Sequence, residues 1–304
     1  MDYKIVEKQV LSSDGVHSLY GKLYLPNGEI KGYFHVVHGM TEHIGRYDRF
    51  LGEMAKRGYL AFAFDNLGHG KTVNDNLELG FIADKNGWEY LIEDIKVFYN
   101  AVKLEFGDMP YYLFGHSMGS FIVRVATGRT VFPNKVILSG TGGKNNLAGL
   151  GIILSSIIKA FKGKRHVSKF MDKIVFGSYN NGFESENSKR SWITSDSSLR
   201  AKYDADPLYN YRLTISALKD VITLTKIANS KKGFQKYSKD SETFLICGNQ
   251  DPVSKRGAGV LEVSNRLKAV GVNAKVKIYN GRHEIFNEPN AKEEVLNDIL
   301  SFLS

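Results

Sequence analysis

The sequence predicts an α/β fold: a mostly parallel, eight-stranded sheet flanked by helices, with one inserted helical cap. Three observations predict it. Short runs rich in apolar, β-branched or aromatic residues recur at 4–11, 17–25, 32–37, 60–65, 111–116, 135–140, 243–248 and 274–279. Segments with apolar residues at helical spacing lie between the later runs, the alternation that a parallel sheet with right-handed crossovers requires. That alternation then fails between about 142 and 210, because the run ending at 140 has no successor until 243.

The elements follow in order. Runs 4–11 and 17–25 alternate in polarity and are separated by Ser12-Ser13-Asp14-Gly15, as in an antiparallel hairpin. Runs from 32 onward are nearly continuous in apolar character, as strands covered on both faces should be. Residues 47–57 form a helix ending at Gly58. In 86–106, Asn86 is a candidate N-cap with Glu89 three residues on, and Trp88, Leu91, Ile92, Ile95, Phe98, Tyr99 and Val102 follow at helical spacing. A helix over 255–270 stops at Gly271, and the last helix opens at Pro289. In the interrupted region, Leu147, Leu150, Leu154, Ile157, Ile158 and Phe161 make one helical face, with Ile152 and Ile153 beside it. The Gly177–Gly182 stretch follows, and a long helix near 212–230 returns to the main body. The expected division is therefore a core of 1–141 and 211–304 with a cap of 142–210.

With 304 residues, 42% hydrophobic and 12% aromatic content and six prolines, the chain is globular and not disordered. A single cysteine, Cys247, excludes an internal disulfide and any multi-cysteine metal site. It lies in an apolar run and reads as an inert core thiol. The N-terminus is charged where a signal peptide needs an apolar run, and no stretch reaches the roughly 18 apolar residues of a membrane span. The expectation is a soluble cytoplasmic protein. The net charge is +9, and residues 144–205 hold eleven Lys/Arg against five Asp/Glu, +6 of that excess. Lys159, Lys162, Lys164 and Arg165 follow an apolar stretch without interleaved aromatic residues. That pattern suits an anionic lipid surface better than a nucleic-acid groove, so no nucleic acid is expected; a merely solvated basic face is the alternative.

The chemistry centres on Tyr111–Val123, where an apolar strand runs through Gly115-His116-Ser117-Met118-Gly119 directly into a helix-forming segment. A tight strand-to-helix turn lifts a serine hydroxyl into reach of a base, and its glycines avoid collisions with neighbouring backbone. If Ser117 is the nucleophile, an acid and then a histidine should follow in the chain. Of the two later histidines, His166 lies in the basic cap segment, whereas His283 follows strand 274–279 through a short loop. Asp251 sits at the end of strand 243–248, where it can fix the His283 tautomer and stabilise the imidazolium. Two backbone N–H groups should hold the oxyanion. One belongs to Met118; the other belongs to Met40, in the loop after strand 32–37 where Gly39 allows close approach. Each such donor typically contributes about 3 kcal/mol of transition-state stabilisation.

These residues resemble the α/β-hydrolases of the monoacylglycerol lipase and lysophospholipase branch, a group also labelled serine aminopeptidase-like. The resemblance is carried by His38–Tyr47, Asp65–Gly70, Gly115–Gly119, Ser191–Asp196, Asp206-Pro207, Gly248–Val253 and His283-Glu284, which span the chain in the family's order. It implies a triad of Ser117, Asp251 and His283 with Met40 and Met118 as oxyanion donors. It further implies that the 142–210 insert is a lid over an acyl-binding channel, and that Glu42 and Arg46 shape the polar end of the site. Thr41 departs from the pattern, since relatives often carry glycine there. The expected activity is serine carboxylic-ester hydrolysis through an acyl-enzyme, with no cofactor or metal. The expected substrates are monoacylglycerol or lysophospholipid-type single-chain esters, with transient contact between the basic cap and a membrane surface. A serine aminopeptidase or amidase, and a catalytically silent binding protein of the same fold, are the alternatives. Gly68-His69-Gly70-Lys71-Thr72 lacks the first glycine of a phosphate loop, so Asp65, Gly68 and Gly70 read as a turn.

Overall fold

Strands β1 (Tyr3–Leu11) and β2 (Ser18–Pro26) form the expected antiparallel hairpin, paired from Tyr3↔Pro26 to Leu11↔Ser18. Its turn is pinned to the body by Asp94, whose carboxylate accepts hydrogen bonds from the Ser12 hydroxyl and, at 2.7 Å, from the Ser13 N–H. The computed structural model describes residues 2–186, 188–209 and 211–304. Next come β3 (Gly32–Val37), α1 (Asp48–Lys56), β4 (Tyr59–Phe64), α2 (Gly87–Phe106), β5 (Tyr111–His116), α3 (Met118–Ala126) and β6 (Lys135–Ser139). The interrupted region holds α4 (Ala148–Lys162), α5 (Lys169–Phe176) and α6 (Ser197–Ala205), followed by α7 (Ile215–Ala228) and α8 (Lys231–Lys236). The chain closes with β7 (Glu242–Gly248), α9 (Ala258–Lys268), β8 (Ala274–Tyr279) and α10 (Lys292–Leu303).

The eight strands lie in the order β1-β2-β4-β3-β5-β6-β7-β8, and every pairing from β4 through β8 is parallel. One face buries Phe98 of α2, Ile122 of α3, Leu218 of α7 and Val260 of α9. The other buries Phe50 of α1 and Val295 and Ile299 of α10 against Phe34 and Phe114. The central strands β3, β4 and β5 are buried throughout, as their unbroken apolar character requires. Strand β8 differs from that expectation: it is an edge, its lysines alternate, and Ile278 is exposed. Cys247 is buried in β7, and burial pushes its thiol up to about 12.

Three helical details correct the sequence reading. Asn86 occupies the N-cap of α2 in a left-handed conformation and makes no side-chain cap bond. The buried Asp220 of α7 instead lies beside Gly87 at this helix start, where its charge faces the positive end of α2, although among the described residues its Oδ2 has no hydrogen-bond partner. Helix α10 starts at Lys292, after a turn that follows Pro289. The apolar face of α4 is split. Gly151 and Ser155 let the helix approach α7, and Leu154 and Ile158 pack on the core. Leu147, Leu150, Ile153, Ile157 and Phe161 are left exposed.

The insert is tied to the main body at several places. Lys159 donates to the Ser216 hydroxyl at 3.0 Å and to the Asp84 carbonyl, Lys164 pairs with Asp84, and Arg165 lies over the Phe81 ring. Much of the basic cluster therefore turns toward the main body. Farther on, residues 191–195 are tied to residues 282–288. Arg282 donates to the Ser191 carbonyl at 2.6 Å, the Glu284 N–H to Ile193 at 2.9 Å, and the Ser195 N–H and hydroxyl to Glu288 at 2.8 and 2.6 Å. The expected cap boundary at 210 lies outside the described residues. Among the described residues no helix is long and apolar enough to cross a membrane.

Candidate active site

Ser117 sits between β5 and α3 with φ 52° and ψ −118°, a strained conformation for a residue with a side chain. The strain is maintained by close packing around it. Its N–H donates to the Ser139 carbonyl at 2.9 Å, and its own carbonyl accepts the Ser120 hydroxyl at 2.6 Å. A Cβ at Gly119 would fall 2.1 Å from the Val37 carbonyl oxygen, so only glycine lets α3 start this close to the end of β3. The Ser117 side chain makes no cap bond, which leaves its hydroxyl available.

His283 and Asp251 meet as the strand order requires, at the ends of neighbouring β8 and β7. His283 Nδ1 and Asp251 Oδ1 are 2.8 Å apart, both residues are buried, and among the described residues His283 Nε2 has no hydrogen-bond partner. With Nδ1–H donated to the carboxylate, Nε2 carries the lone pair that a general base needs. The ring is held between His116, with centroids 4.6 Å apart, and Trp192, at 5.0 Å. Burial holds His116 well below the usual histidine range, so it is neutral. Gly140, one residue past β6, lies directly against the His283 ring: a Cβ there would be 2.7 Å from His283 Cε1. Ser139 thus holds the Ser117 backbone and Gly140 abuts His283, which brings the serine and the histidine to one rim.

The loop after β3 approaches the same point. A Cβ on Gly39 would lie 3.1 Å from Ser117 Cβ. Among the described residues, neither the Met40 nor the Met118 N–H donates a hydrogen bond. Thr41 takes a positive φ of 53°. His38 braces this loop: Nδ1 is 2.7 Å from the Gly39 carbonyl and Nε2 accepts the Asn66 N–H at 2.9 Å. Burial pushes its pKa down to about 3, so this neutral bridge does not titrate near neutrality. Asp65 holds the next segment by accepting the Ile44 and Lys71 N–H groups, each at 2.8 Å, which bears out the turn read at 65–70.

Glu42 and Arg46 are buried and bonded within the protein. Glu42 accepts the Gly39 N–H, the Tyr47 hydroxyl at 2.8 Å and Arg46 Nη1 at 2.7 Å. Arg46 reaches on to Glu284, the neighbour of His283, and its guanidinium lies 3.6 Å from the Tyr203 ring centroid and 4.4 Å from that of Tyr209. Burial opposes its charge, but Glu284 and Glu42 outweigh that and raise its pKa well above the ordinary value. One buried cation thus joins the loop after β3, the loop that carries His283 and the insert. Sequence reasoning assigned no role to Glu284 or Tyr203 and read Gly140 only as the end of a strand, although His283-Glu284 was visible as a motif.

A cavity of about 670 Å³ opens beside the loop after β3, with Met40, Phe176, Trp192, Tyr209 and Leu213 in its walls. Among the described residues no three His, Cys, Asp or Glu side chains gather as a metal site would. A sheet of this order, with a strained serine leaving its fifth strand and an Asp–His pair at later strand ends, is an α/β-hydrolase. The chain belongs to the family described as serine aminopeptidase, S33, which it matches over residues 28–290. It is 25% identical over 297 residues to a monoacylglycerol lipase of Mycolicibacterium smegmatis, covering 95% of this chain and 93% of that one. It is also 24% identical to mouse monoglyceride lipase, covering 97% and 89%. The fold matches a thermostable carboxyl esterase from Bacillus coagulans, solved with glycerol, at a TM-score of 0.92 and 29% identity over 98% and 97% of the two chains. A monoglyceride lipase of Saccharomyces cerevisiae shares the fold at a TM-score of 0.76 and 19% identity, covering 100% of this chain and 96% of that one.

Proposed function

We propose that Ser117, His283 and Asp251 form a nucleophilic relay, with the Met40 and Met118 N–H groups as the oxyanion site. The chain is a carboxylic-ester hydrolase. The observation that supports this relay most directly is the His283 ring, bonded to Asp251 through Nδ1 while among the described residues its buried Nε2 has no partner, on the rim that holds the strained serine. In this reading Ser117 Oγ attacks the ester carbonyl as His283 Nε2 takes its proton, and the oxyanion forms against the two N–H groups. His283 then gives that proton to the departing alcohol. Water attacks the acyl-enzyme with the same histidine as base, which releases the acid and restores Ser117. Glu42 and Arg46 act here by bracing the loops that carry Gly39 and His283.

The preferred substrates are single-chain esters such as monoacylglycerols or lysophospholipids. The aromatic and aliphatic walls of the cavity support this, together with the similarity to monoacylglycerol lipases. The exposed apolar row of α4 supports contact with the lipid surface where such substrates reside. An aminopeptidase would have to bind a free ammonium group, which the cationic side chains around this cavity oppose. The test is a panel of monoacylglycerol, lysophospholipid and aminoacyl-amide substrates with wild type and Ser117→Ala. Ester turnover and fluorophosphonate labelling that both vanish in Ser117→Ala are expected. Wild type that neither labels nor turns over any ester would favour a silent binding protein, and Ser117→Ala with undiminished turnover would remove the relay.

A further inference from the structure

The charge around the cavity narrows the substrate. Five cationic side chains line it, Lys169, Lys173, Lys189, Arg190 and Arg212, against two acidic ones, Asp172 and Asp204. Both acids are already paired, Asp172 with Arg212 at 3.1 Å and Asp204 with Arg190. Among the described residues, Lys169, Lys173 and Lys189 are exposed with no carboxylate partner, leaving a net +3 at the walls of one cavity. This contrasts with Lys159, Lys164 and Arg165, which turn to Asp84, Phe81 and the main body. The three free cations come from two separate segments of the insert and converge where Met40 and Trp192 mark the reacting end. Like charges held together without counter-charge repel one another, an unfavourable arrangement that a bound anion relieves.

We propose that this cavity selects esters whose alcohol portion carries a phosphate, so that the substrate is a single-chain acyl glycerophosphate and not a neutral acylglycerol. This rests on the ester-hydrolase reading. Water adds across the acyl C–O bond, giving a carboxylic acid and the free alcohol, and the phosphate leaves unchanged. The three lysines bind the phosphate and stand outside the relay. Because the lysines are exposed, their attraction is screened by salt and strongest at low ionic strength, where the Debye length is about 30 Å at 0.01 M against about 8 Å at 0.15 M.

The experiment compares 1-octanoylglycerol with 1-octanoylglycerol 3-phosphate, both as monomers below their aggregation concentrations, so that no lipid surface contributes. At 0.01 M salt, wild type should show a kcat/KM for the phosphate ester about tenfold or more above the neutral one, mostly in KM, and 0.15 M salt should narrow the gap. The triple variant Lys169→Gln, Lys173→Gln, Lys189→Gln should bring the ratio toward one while fluorophosphonate labelling reports an intact site. Exposed lysines elsewhere, changed together as Lys226→Gln, Lys232→Gln, Lys268→Gln, should leave the ratio as in wild type. Equal or faster turnover of the neutral ester, or an unchanged ratio in the cavity triple variant, would overturn the inference while leaving ester hydrolysis in place. So would a preference that appears only in aggregated substrate, which would assign the lysines to a surface. Failure of wild type to hydrolyse either ester would remove the hydrolase reading and this inference with it.

Discussion

Adding one methyl group at position 140 tests the relay without altering any of its members. Gly140 has φ 61°, and its N–H is held by the Ile246 carbonyl at 3.0 Å. A Cβ built there lies 2.7 Å from His283 Cε1, 2.9 Å from Nδ1 and 3.5 Å from Asp251 Oδ2. Carbon atoms in contact sit about 3.5–4.0 Å apart, so the ring must retreat by roughly 0.8 Å or more. It has little room, since His116 and Trp192 flank it. The preceding residue cannot yield freely either, because Ser139 accepts the Ser117 N–H. Positive φ in a residue with a side chain costs about 1 kcal/mol, and overpacking about 1–3 kcal/mol more, so Gly140→Ala should remain folded but lose on the order of 2–4 kcal/mol. Catalysis should suffer more. A displacement near 1 Å at a reacting group costs about 10²-fold, so kcat should fall roughly 30- to 100-fold with KM little changed. Steady-state hydrolysis of p-nitrophenyl butyrate, the rate of fluorophosphonate labelling and urea unfolding measure the three quantities. Gly142→Ala is the control, since its added carbon meets the Val253 carbonyl and the Phe121 ring instead of His283. A folded Gly140→Ala enzyme with kcat within about threefold of wild type would refute the placement of His283.

Three further perturbations have defined outcomes. Arg46→Met leaves Glu42 and Glu284 buried without their shared cation and should cost about 3–5 kcal/mol in urea unfolding; a loss under 1 kcal/mol would show that the junction is solvated. Burial raises the Asp94 pKa to about 6 despite hydrogen bonds from Ser13 and Ser12. Between pH 4 and 6 the folded state therefore binds more protons than the unfolded state, and stability falls as pH rises, by up to about 3 kcal/mol from this group. Asp94→Asn should flatten that slope, and a urea midpoint with the wild-type pH dependence would refute the assignment. Replacing Ile153, Ile157 and Phe161 by serine removes much of the exposed row on α4 and should lower partition onto phosphatidylcholine vesicles at least severalfold in a flotation assay, without slowing monomeric p-nitrophenyl esters. Unchanged flotation would place the lipid contact elsewhere.

The strands and the residues at their ends were legible because both follow from local pattern. A run of β-branched and aromatic residues that stops at Gly-His-Ser-Met-Gly, at Gly-Asn-Gln-Asp or before Asn-Gly-Arg-His marks a strand end, and parallel strands bring such ends to one edge. Partners set by tertiary packing were not legible. Arg46 and Glu284 are 238 positions apart, and no periodicity links them. Gly140 read as an ordinary strand terminator, because only the folded chain shows the imidazole beside it. The α4 face misled for a similar reason. Hydrophobic spacing marks where a helix is apolar, whereas the small residues Gly151 and Ser155 decide which side approaches α7.

The insert shows the same distinction with a mechanistic consequence. In sequence, 142–210 is one interruption and would be read as one lid. In the structure its parts are held by separate sets of contacts. Residues 191–195 share hydrogen bonds with 282–288, and Tyr203 bonds Glu284 while stacking on Arg46, so lifting that part would drag the histidine loop with it. Losing those bonds would leave buried charged groups unpaired, at several kcal/mol in total. The C-terminal half of α4 is tied down as well, through Lys159 and Lys164. Helix α5 and the turns just after it are held too, by Met171 buried in the core, by Asp172 paired with Arg212 and by Glu186 paired with Arg282. Those same elements supply Lys169, Lys173 and Phe176 to the cavity wall. The cavity wall is therefore tied to the main body on several sides, and the part bonded to 282–288 also holds the loop that carries His283.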